Sequence, residues 1–250
     1  MEEYFLNSPS TQPPEVAPLQ SCHARRTTRG RIWQTLGVAL IFGVAMGLLE
    51  AICVIYLRHL LSPSENPVAA LNRFPVEQIR EASTLVMLLT VAWLAGFNAR
   101  TRLAYFSLLF GIWDITYYVG LKWLAHWPTS WLEWDTLFLI PVPWYGPVLS
   151  VLLISAYLVG ACVLCVLRED RGAPLRWRPL SLLLQMAALG FWYYSFTSDS
   201  ATIRAHGHAG VSYPWTLLAC GLLCGCFSMF LAMRAGADKR APNAPSRSPA

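Results

Sequence analysis

Charge is what this sequence lacks most. Of its 250 residues only 13% are Asp, Glu, Lys or Arg, about half of what soluble domains carry. Hydrophobic residues make up 55% of the chain, and the mean hydropathy is +0.42. A chain so poor in charge and so rich in long apolar runs reads as an integral membrane protein. Inside a bilayer every backbone polar group needs an internal partner, which leaves helices or closed barrels. The apolar runs are too long and too unbroken for barrel strands, so the expected class is all-α, a helical bundle.

Other absences narrow the function. There is no phosphate-binding glycine loop, no nucleophile elbow and no H-E-x-x-H pair, and no cofactor is implied by any motif. None of the five histidines (His23, His59, His126, His206 and His208) falls mid-span, which argues against a buried bis-histidine haem. His206-x-His208, with Asp199 nearby, is a weak metal signal, and solvated loop residues are the simpler reading; no metal is assigned. No internal repeat is visible, so the paired broken spans of many transporters are missing. The basic residues form no groove-like cluster with stacking aromatics, so the +5 net charge gives no reason to invoke nucleic acid.

Six runs are long enough to cross about 30 Å of hydrocarbon. They lie near 32–57, 79–97, 103–123, 147–167, 180–197 and 214–233. The first is too long for a signal peptide and has 31 residues before it. With the N-terminus inside, the cytoplasmic segments hold 14 of the 19 basic residues; Arg58, Arg73, Arg80, Lys122 and Arg204 fall outside. The expected topology is therefore six spans with both termini cytoplasmic. Residues 1–31 form a basic tail, 32–234 the transmembrane domain, and 235–250 a second tail. Both tails have the composition of disorder.

The stretch LFLIPVPWYGPV (137–148) puts Pro141, Pro143 and Pro147 in an apolar run. Proline costs about 3 kcal/mol inside a helix. At a first turn its missing donor matters little, so the fourth span is expected to begin at Pro147. Residues 131–147 are then a separate outer segment of extended or turn backbone, with Gly146 allowing a turn. Trp123, Trp127, Trp131, Trp134, Trp144 and Tyr145 crowd this region. They read as an interfacial belt, as the wall of a binding pocket, or as both.

Acids inside spans are costly and usually face the bundle interior. Asp114 is central to span three, with Gly111, Tyr117 and Tyr118 on its side of the helix. A tyrosine hydroxyl there has a carboxylate to donate to. Asp114 is read either as a relay, ion site or substrate anchor, or as a structural lock between helices. Glu50 lies two turns from the outer end of span one. Gly43 and Gly47 share its face in the spacing of a close helix contact. A second such pair is Gly221 and Gly225. Glu77, Arg80 and Glu81 open span two on one face, where helix-end pairing explains them simply. By depth, Glu50, Glu81, Asp114 and Asp135 gather in the outer half with Arg80 and Arg58 as counter-ions. The expectation is one outward-facing polar cavity lined by Glu50, Arg80, Glu81, Asp114, Tyr117, Tyr118 and Asp135. Seven cysteines include Cys162-x-x-Cys165, read as buried small hydrophobes and not as a redox pair.

The segments REASTLVMLLTVAWLAG (80–96), FGIWDITYYVGLKWLAHWP (110–128) and WDTLFLIPVPWYGPV (134–148) resemble a family of bacterial polytopic membrane proteins that brings no activity with it. The resemblance implies that Arg80, Glu81, Asp114, Asp135 and the prolines belong together, and the expected location is the inner (plasma) membrane, multi-pass. Three functions follow as expectations. The first is binding or movement of an ion, proton or small polar solute. The second is a membrane enzyme acting on a lipid at the outer leaflet, with Glu81 and Asp114 as acid and base or as metal ligands. The third is an accessory subunit that meets a membrane-protein partner through its glycine faces.

Overall fold

The computed structural model of the chain describes residues 17–60 and 67–237. The expected tails at 1–16 and 238–250 lie outside the described residues. The chain is mostly helical: α1 (Ala17–Leu60), α2 (Pro67–Ala95), α3 (Ala99–Ala125), α4 (Val148–Asp170), α5 (Pro179–Thr197), the short α6 (Ser200–His206) and α7 (Trp215–Ala237). Among the described residues, three helices are long and apolar enough to cross a membrane: α1 over 31–58, α4, and α7 over 215–236. Backbone helix begins at Ala17, so part of the expected N-terminal tail continues α1.

The all-α expectation is corrected at the proline segment. Strands β1 (Trp134–Phe138) and β2 (Trp144–Pro147) form an antiparallel hairpin, with Trp134 opposite Pro147 and Asp135 opposite Gly146. The register slips between Thr136 and Phe138. Pro141 and Pro143 fall in the connection between the strands, where neither removes a ladder hydrogen bond. Pro147 ends β2 and caps α4 in extended backbone (φ −65°, ψ 141°), one residue ahead of the expected first turn. Gly146 makes no turn. It is buried in β2, where an added Cβ would meet the Phe196 ring at 2.9 Å. The first amides of α4 find partners outside the helix: Val148 N–H donates to the Glu133 carbonyl at 3.0 Å, and Leu149 N–H to that of Trp131 at 2.7 Å.

Helix α3 is the hub, packing on α1, α2 and α4, while α5 pairs with α7. The glycine spacings explain the closest approaches. A Cβ on Gly47 would lie 2.5 Å from the Trp113 carbonyl and 3.0 Å from the Tyr117 nitrogen, so α1 meets the α3 backbone there. Gly225 gives the same room to the Tyr157 ring. Gly47→Val is expected to push α1 from α3 at a cost of about 1–3 kcal/mol. Thermal unfolding of the purified variant measures this as a lowered midpoint; an unchanged midpoint would mean that the contact is loose.

Candidate functional site

The C-terminal part of α1, the middle of α2, the C-terminal part of α3 and strand β1 with Leu139 line a cavity of about 350 Å3. Its polar lining is Arg58, Glu77, Arg80, Glu81, Tyr117, Asp135 and Thr136. Helical spacing explains the α2 contribution, because positions 77, 80 and 81 share one face. Arg80 is the centre of the charge network. It pairs with Glu50 across the α1–α2 contact and with Glu77 at 2.9 Å on its own helix. Glu50 is buried at 6% exposure, and Thr84 lies 3.5 Å from its second oxygen.

Glu81 is buried too, and its partner is the hairpin. The Leu139 amide donates to Glu81 at 2.9 Å, while Gln78 donates to the Leu139 carbonyl at 3.5 Å. A single turn of α2 therefore clamps both polar groups of the residue that follows β1. On the other wall, Asp135 accepts from the Tyr118 hydroxyl at 3.0 Å and lies 3.7 Å from Arg58. The Arg58 guanidinium sits over the Trp127 ring, 4.2 Å from its centroid. Burial pushes the Asp135 carboxyl up to about 6, and this outweighs the opposing pull of Arg58 and of the Tyr118 hydrogen bond. Folding therefore favours the protonated acid. That contribution to stability is complete below about pH 4 and is lost as the pH rises through about 6.

The structure brings six of the seven expected residues to this region. Arg80, Glu81, Tyr117 and Asp135 line the cavity, and Glu50 and Tyr118 stand behind it, bonded to Arg80 and Asp135. Asp114 is the exception. It accepts from the Ser155 hydroxyl at 2.7 Å and lines a second, apolar cavity of about 260 Å3. One helical turn separates it from Tyr117, enough to put it on the far side of the hairpin. Glu81 and Asp114 therefore do not share a cavity as an acid–base pair would.

Sequence reasoning missed Ser155, an isolated hydroxyl in an apolar helix. It also missed the Leu139 backbone, which no side-chain pattern announces. The aromatic cluster divides: Trp123 is exposed, whereas Trp144 lines the apolar cavity. His208 stacks on Trp134, and among the described residues no three His, Cys, Asp or Glu side chains are grouped to hold a metal. Cys162 and Cys165 are free thiols buried in the core.

Comparison with known protein families, with curated proteins and with solved structures finds no match to this chain.

Proposed function

We propose that this is a multi-pass protein of the inner (plasma) membrane, with six spans and both termini cytoplasmic, whose outer cavity binds one small organic cation. The exposed faces of the helices support the six spans. Helices α2 and α5, like α1, α4 and α7, expose large apolar side chains, among them Met87, Trp93 and Leu94 on α2 and Leu183 and Met186 on α5. Exposed apolar surface on this scale marks contact with lipid or protein. The basic residues supply the orientation.

The charge balance of the cavity carries the ligand reading. Glu81 and Asp135 line the cavity and Glu50 stands behind it, against the guanidiniums of Arg58 and Arg80. Three carboxylates against two guanidiniums favour a cation, and the volume suits one small molecule. A primary ammonium has three donors to offer to carboxylate oxygens from different elements. Asp135 is the anchor, because its pairing with Arg58 is the loosest of these contacts.

Equilibrium dialysis of ethylammonium against the full chain in lipid nanodiscs tests the reading. Affinity is expected to fall about tenfold from pH 7 to pH 5 as Asp135 is protonated, since the probe keeps its charge throughout. Asp135→Asn is expected to bind about ten- to a hundredfold more weakly at pH 7 and to show no such pH dependence. Equal binding by wild type and Asp135→Asn at both pH values would refute the assignment.

A further inference from the structure

Asp114 is a buried carboxyl group, 7% exposed, whose bond to the Ser155 hydroxyl uses one oxygen, Oδ2. Among the described residues it has no Arg or Lys in ion-pair range, and no basic residue lines the apolar cavity that it borders. The acids of the outer cavity are placed differently: Arg80 pairs with Glu50, and Arg58 lies beside Asp135. A carboxyl group at membrane depth is costly and marks a place where something else supplies the balance. The remaining walls are aromatic and aliphatic. Trp144 of β2 is the hub of the aromatic wall, with the ring centroids of Tyr193, Phe196 and Phe138 at 5.5, 5.8 and 6.2 Å from its own. Trp113 adds another ring from α3. Leu189 and Tyr193 line the cavity and are also exposed on α5, so it opens on the apolar surface of the bundle.

We infer that the apolar cavity is a second binding site, which takes a hydrophobic primary amine as its ammonium ion. The ammonium sits against Asp114 and Ser155, and the hydrocarbon body lies among Phe138, Trp144 and Phe196. The cation supplies the charge that Asp114 lacks, and Asp114 Oδ1 and Ser155 Oγ remain as acceptors for its N–H groups. Aromatic faces attract a desolvated cation, and a wall free of Lys and Arg does not repel it. An anionic ligand would meet Asp114 with nothing to offset it. The volume of about 260 Å3 suits one ring on a short linker, and an ion as short as ethylammonium leaves most of it empty. The two cavities have no lining residue in common. The second site therefore stands independently of the cation reading of the outer one, and each cavity holds its own ligand.

The test is binding of phenethylammonium and of its neutral counterpart, 2-phenylethanol, to the full chain in nanodiscs, with empty nanodiscs as the baseline for partition into lipid. Wild type should bind phenethylammonium about ten- to a hundredfold more tightly than 2-phenylethanol. Asp114→Asn keeps an acceptor for Ser155 and removes the charge, so it should lose that preference and bind both probes alike. Leu158→Trp fills the cavity and should bind neither. Asp135→Asn, in the outer cavity, should bind phenethylammonium as wild type does. Thermal unfolding without ligand shows which variants fold. If Asp114→Asn does not, the preference of wild type and the loss in Leu158→Trp decide the matter. A wild type that takes the two probes equally would overturn the inference, as would a phenethylammonium affinity undiminished in Asp114→Asn or in Leu158→Trp. A loss confined to Asp135→Asn would also overturn it, and would move the ligand to the outer cavity.

Discussion

Arg80→Leu is expected to destabilise the folded chain by about 3–5 kcal/mol, the largest effect of any single substitution at the site. Arg80 is the ion-pair partner of Glu50, which is buried at 6% exposure between α1 and α2. Removing the guanidinium leaves that carboxylate with only a distant Thr84 hydroxyl at 3.5 Å. An uncompensated buried charge costs far more than the pair itself contributes. The matching double variant, Glu50→Leu with Arg80→Leu, should therefore recover most of the loss. Glu77 limits the recovery, since it too binds Arg80, though nearer the surface. Denaturant titration of the four members of the cycle measures the coupling. A double variant as unstable as Arg80→Leu alone would show that Arg80 acts through packing and not through Glu50.

Glu81→Ala is expected to release the hairpin from α2. The Leu139 amide loses an ionisable acceptor at 2.9 Å and has no other protein partner within the described contacts. Leaving such a donor without its acceptor costs about 1–3 kcal/mol. Most of that loss should be local, because the hairpin is otherwise held by its own ladder and by packing on α4 and α5. Hydrogen exchange should accordingly speed up by about tenfold to a hundredfold at Leu139, with the amides of α3 unchanged. Glu81→Gln keeps an acceptor oxygen and should retain most of the protection. Unchanged exchange in Glu81→Ala would mean that Gln78 and the turn hold the hairpin without Glu81. Since β1 also carries Asp135, a released hairpin should weaken cation binding as well.

Much of this was legible in the sequence, and the physics says why. Helix positions followed from apolar run length, and each expected run matches one of the helices, overrunning it by at most two residues. The glycine pair at 43 and 47 announced a close helix contact without naming its partner, and the structure gives that contact to α3. The rarity of intramembrane charge pointed to Glu50 and Arg80 before their partnership was visible. The hairpin was hidden for a different reason. Residues 134–147 are apolar and aromatic on both sides of Pro-Val-Pro, and a short apolar run does not separate buried strand from buried helix. Two aromatic runs flanking prolines were in fact the signal of two strands and their turn. Depth along the membrane normal placed Asp114 beside Asp135, but depth says nothing about which side of a hairpin a residue faces. Only the fold assigns Asp114 to Ser155 and the apolar cavity.

Anomalous scattering from crystals soaked with 2-bromoethylammonium at pH 7.5 locates the cation directly. One bromine peak per chain is expected inside the cavity lined by Arg58, Glu81, Tyr117 and Asp135, and it should be lost in crystals of Asp135→Asn. Peaks confined to the lipid-facing surface, or a cavity peak undiminished in Asp135→Asn, would contradict it.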